Sequence, residues 1–157
     1  MAAGDGFRIV EDDLTSAPVQ ALIALHVNGM LAYSPACSVH ALDVDRLRAP
    51  GVTFWTLWEG TALLGCGALK ALDASEGEIK SMRTDPAALG RGVGTAMLRH
   101  IIAEARGRGY QRLSLETGSG PAFEPAWRLY ERHGFVACGP FASYRDDPFS
   151  RFMTLAL

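Results

Sequence analysis

Gly90, Gly92 and Gly94 alternate with Arg91 and Val93 in the stretch DPAALGRGVGTAMLRHIIAEARGRG, residues 85–109, at the point where an amphipathic helix begins. A helix start presents unpaired amide N–H groups and the positive end of the helix dipole. Residues without side chains at that point let an anionic group reach the amides without meeting a β-carbon, and phosphate suits the arrangement well. Arg91 and Arg99 add positive charge nearby. The plainer alternative is a turn whose glycines serve only its own backbone.

The kind of phosphate ligand is narrowed by what the stretch lacks. A loop of the Gly-x-x-x-x-Gly-Lys-Ser/Thr type needs a lysine, and there is none here. The dinucleotide pattern Gly-x-Gly-x-x-Gly/Ala fails in both registers: from Gly90 it ends on Thr95, and from Gly92 on Met97. Glu116, at the end of the next strand, keeps a ribose-binding acid open as an alternative. Cys37, Cys66 and Cys138 form no CxxC pair and stand beside no spaced histidines, so neither a metal site nor a disulfide framework is expected. Cys66 and Cys138 lie in apolar strands, which suits packing better than nucleophilic attack.

The elements that must position these residues follow from periodicity. Residues 7–13 alternate and read as a first strand, and Pro18 opens a helix to about Tyr33 with Val19, Leu22, Ile23 and Val27 on one face. A short helix is expected at Ala41–Arg48, before the stop at Pro50-Gly51. Three strands follow, VTFWTLW, ALLGCGALKAL and GEIKSMRT, the first two joined by the short link EGT. Trp55 and Trp58 lie three apart and so point to opposite faces, one of them to the core. The helix after the glycines carries an apolar stripe from Val93 through Met97, Leu98, Ile101, Ile102 and Ala105. It leads to the strand RLSLET, making a strand-helix-strand unit with parallel pairing. A second amphipathic helix, PAFEPAWRLYERHGF, stops at Gly134, and FVACGPFASY and FSRFMTLAL read as closing strands. The pattern is that of one α/β domain over residues 1–157, built on a mixed sheet.

Composition excludes other classes. The net charge of −2 argues against a general nucleic-acid binder, and no apolar run is long enough to span a membrane. The N-terminal residues lack a signal-peptide pattern, so a cytoplasmic location is expected.

The region from Gly77 to Phe135 resembles the GNAT superfamily of acyl-CoA-dependent N-acetyltransferases. Its Arg/Gln-x-x-Gly-x-Gly/Ala motif falls on Leu89-Gly90-Arg91-Gly92-Val93-Gly94, with Leu89 in place of Arg or Gln. AWRLYERHGF matches the family's Leu-Tyr and Gly-Phe helix, and Phe123 stands where many relatives carry an asparagine. The resemblance implies a mixed sheet of about six to seven strands with about four helices and a splayed parallel pair, IKSMRT and RLSLET. Acetyl-CoA, the acyl donor, would lay its pantetheine against the backbone of Met82 and Thr84. Its pyrophosphate would meet the amides of Arg91, Gly92, Gly94 and Thr95 in the loop from Leu89 and Gly90 through Val93.

The resemblance also implies an N-acetyltransferase acting by direct attack of an amine, or else a noncatalytic acyl-CoA-binding module. An amine of ordinary basicity must lose a proton before it attacks, and a placed carboxylate can accept it. Glu78 matches a position where some relatives keep a catalytic glutamate, and Glu116 on the neighbouring strand is the second candidate; the plain role of Glu78 is pairing with Lys80 or Arg83. Tyr130 stands at the family's general-acid position, and a backbone N–H of Met82 or Arg83 would meet the oxyanion. The expected partner is a small-molecule, amino-acid or peptide amine, and a homodimer is compatible. The acceptor pocket would be built by HVNGMLAYSPACSVHALD and FASYRDDPFSRFM, which bring His26, His40, Tyr144, Asp146 and Asp147; turn chemistry is the plain role of the last three. Arg83 and Arg145 would suit an acceptor that also carries a carboxylate.

Overall fold

Alternating side chains make Phe7–Glu11 (β1) a strand that pairs antiparallel with Val52–Glu59 (β2), and β2 turns through Gly60 and Thr61 into Ala62–Ala71 (β3). The computed structural model describes residues 6–40 and 42–157. β3 pairs antiparallel with Glu76–Thr84 (β4). β4 is followed by the helix Val93–Gly107 (α3) and the strand Arg112–Gly118 (β5), which runs parallel to it. The helix Glu124–Arg132 (α4), the short strand Val136–Cys138 (β6) and the strand Ser150–Ala156 (β7) complete a seven-stranded sheet ordered β1-β2-β3-β4-β5-β7-β6. Ala17–Tyr33 (α1) and Val44–Leu47 (α2) lie between β1 and β2 in the chain.

Alternation along β2 feeds two cores. Trp55 and Leu57 join the buried face of α3, with Met97, Leu98 and Ile101, whereas Phe54 joins Val19, Leu22 and Ile23 of α1. Each such side chain, fully buried, contributes about 1.5–3 kcal/mol. The sheet receives α3 closely: a β-carbon on Gly67 would come within 2.8 Å of Met97 Cγ. Among the described residues the mixed sheet, the four α-helices and the one parallel pair match the architecture read from the sequence.

The parallel pair is short. β4 and β5 are in register only at Glu76–Arg112, Gly77–Leu113 and Glu78–Ser114, and beyond these residues the strands part. Just past that point β4 bulges, because Cys66 of β3 faces Arg83 and Ala68 faces Lys80, leaving Ser81 and Met82 opposite Gly67. Ser81 takes a φ of +56° there. A bulge bends its strand, and this one falls where β4 leaves β5.

Three elements differ from the sequence reading. The expected 41–48 helix is the single turn α2, capped by the Asp43 carboxylate, which accepts from the Arg46 amide at 2.9 Å; Ala41 lies outside the described residues. The helix expected from Pro121 starts as a 3-10 turn, Pro121–Phe123, before α4. The strand expected over residues 135–144 ends at Cys138, because Gly139-Pro140 breaks it. Phe141 and Tyr144 pack instead with Phe152 in an aromatic cluster.

Candidate functional site

The loop from β4 to α3 is shaped by glycine. Gly90 has φ +77° and Gly92, the cap of α3, has φ +83°, a region that side-chain-bearing residues adopt only with strain. A β-carbon on either would meet nothing within 4 Å, so the space beside the helix start is open. Gly94 has a different reason: its β-carbon would stand 3.2 Å from Leu129 Cδ2 of α4. The first turn of α3 holds no acidic side chain to compete for its amides. The Arg91 guanidinium is turned away, 2.6 Å from Glu59 Oε2, leaving its backbone at the loop.

A groove of about 520 Å³ runs past this helix start. It is lined by Met82, Arg83 and Thr84 and by every residue from Leu89 to Thr95 except Arg91. Alternation decides which β4 backbone groups face it. The Asp85 amide donates to Leu64 O at 2.8 Å and Cys66 pairs with Arg83, so Arg83 and Asp85 turn toward β3. Met82 and Thr84 therefore present their backbone to the gap left by β5. Of the two amides expected to meet an oxyanion, Met82 faces the wedge and Arg83 faces β3.

A second, smaller cavity of about 90 Å³ lies deeper between the strands. Both cavities are bounded by Met30, Met82, Phe123, Ala126 and Tyr130, so they meet at Tyr130, which is buried. Burial holds the phenol above its ordinary pKa, which keeps it protonated at neutral pH.

The two carboxylates have separate fates. Glu116 lines the smaller cavity, accepts from Ser150 Oγ at 2.8 Å, and is pushed up to about 7 by burial, against the opposing effect of that hydrogen bond and of Lys80. Glu78 is buried but not on the cavity wall. Its Oε2 lies 3.1 Å from Lys80 Nζ and accepts from Tyr144 Oη at 2.5 Å. Glu78 thus pairs with Lys80, as its plain role had it, in the interior rather than on the surface.

Lys80 and Ser81 were not singled out for the site by sequence reasoning, and no local spacing marks them. Tyr144 reaches β4 from a loop 64 residues from Lys80, where turn chemistry was the expected role. Asp147 does serve its loop, accepting from the Phe149 amide at 2.9 Å, and also takes the Ser38 hydroxyl at 2.6 Å. His26 and His40 both line the smaller cavity. His26 Nδ1 accepts from Arg83 Nε at 3.0 Å, and burial, then the charges of Arg83 and Lys80, bring its pKa down to about 3. It is therefore neutral, with its proton on Nε2. Cys66 is buried, its thiol pushed up to about 12 by burial and bonded to Ser81 O, so it is no nucleophile. Among the described residues no cluster of metal-binding side chains forms, and no helix is long and apolar enough to cross a membrane.

Comparison with known proteins places this geometry in a wider set. The model of the acetyltransferase (GNAT) family matches residues 20–135. The chain is 56% identical over 151 residues to the uncharacterized N-acetyltransferase YedL of Escherichia coli (strain K12), covering 96% of this chain and 95% of that one. It is 56% identical over 146 residues to the uncharacterized N-acetyltransferase YsnE of Bacillus subtilis (strain 168), covering 93% and 97%. A crystal structure of a GNAT family acetyltransferase from Elizabethkingia anophelis with acetyl-CoA bound superposes with a TM-score of 0.69 at 17% identity, over 98% of this chain and 99% of that one. At that identity the likeness is one of fold.

Proposed function

Because the chain belongs to the acetyltransferase (GNAT) family, we propose that it transfers an acetyl group from acetyl-CoA to a primary amine by direct attack, with both substrates bound at once. The observation that carries this reading is the meeting of the two cavities at Tyr130: a long groove from the α3 helix start on one side, a small chamber with Glu116 in its wall on the other. The groove suits coenzyme A at both ends. Open amides at Gly92, Gly94 and Thr95 suit a pyrophosphate, and the unpaired backbone of Met82 and Thr84 suits the amides of pantetheine as an added strand would.

The acceptor amine arrives as an ammonium and must give up a proton before its lone pair can attack the thioester carbonyl. Glu116, with a pKa of about 7, is ionised in a large fraction of molecules at neutral pH and takes that proton. As the new C–N bond forms, the Met82 amide stabilises the charge on the carbonyl oxygen. The C–S bond then breaks, Tyr130 gives its proton to the departing sulfur, and the nitrogen releases its second proton to restore the phenol. Glu78, bonded to Lys80 and Tyr144, braces Lys80 from behind the chamber wall and has no part in the transfer in this scheme.

The test combines calorimetry with acetyl-CoA and a free-thiol assay over a panel of amines, amino acids and peptides. Binding together with amine-dependent thiol release is the expected result. Binding without release across the panel favours a noncatalytic acyl-CoA-binding module, a reading to which the exposed Leu89 at the motif's first position lends some weight. A folded protein that binds neither acetyl-CoA nor coenzyme A overturns both.

A further inference from the structure

The smaller cavity contains a cation and a hydroxyl that the transfer reaction does not use. The Lys80 side chain is only 8% exposed. Its ammonium donates to Glu78 Oε2 at 3.1 Å and to Tyr144 Oη at 2.9 Å, which leaves one of its three N–H groups for the cavity it lines. Glu78 accepts from Tyr144 as well, so the ammonium sits in a fixed frame rather than on a mobile stem.

Ser81, the next residue, lines the same cavity. It is 7% exposed, and its Oγ is buried without a hydrogen-bond partner among the described residues. Leaving such a hydroxyl unsatisfied opposes folding, so a bound acceptor atom there would be favoured. Its backbone, at φ +56°, stores strain as well. A buried orphan donor beside a buried ammonium with a spare N–H is a site for an anionic oxygen.

We propose that Lys80 and Ser81 hold a carboxylate of the acyl acceptor, so that the acceptor is an amino carboxylate of amino-acid size. This site rests on the acetyltransferase reading of the same cavity and deepens it. Glu116 shares the chamber, and the Lys80 charge acts on it directly, lowering its pKa against burial. Cation and proton acceptor thus face one small space, as the carboxylate and amine of an amino acid require. The arginines that suited a carboxylate in the sequence lie elsewhere: Arg83 spends its Nε on His26, and Arg145 is exposed off the cavity wall. At about 90 Å³ the chamber takes a compact head group, with the rest of the acceptor directed outward.

The experiment compares thiol release from acetyl-CoA with the standard amino acids and with their matched carboxamides, which keep the amine and lose the charge. Acids are expected to exceed their carboxamides at least tenfold in kcat/KM, because charge-assisted hydrogen bonds are lost. Carboxamides or simple alkylamines used equally well overturn the proposal, and so does a panel in which no amino acid releases thiol. Ser81→Ala is expected to raise KM for the acid severalfold, more than it lowers kcat; an unchanged KM removes Ser81 from the site. Lys80→Met alone strands the buried Glu78 charge, so Glu78→Gln is combined with it, and the preference for acids should collapse in the double variant. A double variant that melts like the parent and keeps the preference overturns the role of Lys80. Calorimetry with acetyl-CoA separates the failures: no binding removes the acetyltransferase reading itself, whereas binding with indifference to the carboxylate removes this site alone.

Discussion

In the proposed transfer Tyr130 and Glu116 take opposite parts because burial acts on both in the same direction. Desolvation disfavours the charged form of each, so the phenol keeps its proton and the carboxyl is raised into the working range of a base. Tyr130→Phe keeps the ring against Phe135 and removes only the proton donor. It should lower kcat by about 100-fold or more while leaving acetyl-CoA affinity nearly intact, as stopped-flow turnover and calorimetry would read. Unchanged turnover, with chemistry rate-limiting, would take the tyrosine out of its role. Glu116 should impose an acidic limb on kcat/KM, rising with pH and levelling above about 7. Its folded-state pKa lies above the ordinary carboxylate value, so the stability it contributes is complete below about 4.5 and is lost as pH rises through about 7. Glu116→Gln should therefore flatten the acidic limb, slow the reaction, and raise the melting temperature more at about pH 8 than at about pH 4.

At the scale of the element, the start of α3 combines glycines required for two separate reasons. Gly92 needs its left-handed φ, whereas Gly94 makes room for Leu129. Gly92→Val should therefore cost about 1–3 kcal/mol in stability from backbone strain, and should weaken acetyl-CoA binding as well. Gly107, at the far end of the same helix, has open space and no left-handed backbone, so Gly107→Ala should stabilise by roughly 0.5–1 kcal/mol without touching cofactor affinity. Thermal melts and calorimetry on the two variants separate the ends of the helix. α3 itself was legible in the sequence because its stripe from Val93 to Ala105 repeats at helical spacing and all of those positions pack on the sheet. The stretch after Cys138 was not, because Phe141 and Tyr144 are apolar for a tertiary reason, packing against Phe152, and a strand pattern looks the same. Ser81 was illegible for a related reason: a bulge that twists one non-glycine residue into positive φ leaves no mark in composition or period.

In the whole molecule, two sub-sheets, β1 to β4 and β5-β7-β6, meet through only three residue pairs, and the opening they leave is where the proposed chemistry belongs. No single stretch of sequence records that opening; the motif resemblance implied it, and residues far apart in the chain, His26, Lys80 and Glu116 among them, build its walls, with Tyr144 bracing Lys80 from a distant loop. A sheet joined so narrowly carries exposed backbone groups along the inner edges of β4 and β5, which exchange with solvent faster than paired ladder amides. Acetyl-CoA lying along β4 would cover those of Met82 and Thr84 and bridge the sub-sheets without new protein-protein contacts. Hydrogen exchange followed by NMR should accordingly show these two amides protected on adding acetyl-CoA, while the Asp85 amide, already bonded to Leu64, changes little. Saturation at about 100 times the dissociation constant should add about 2.7 kcal/mol to stability and raise the melting temperature by several degrees. Protection spread evenly over β2 and β3 instead would mean that the ligand tightens the sheet from outside, and the wedge would lose its claim to the pantetheine arm.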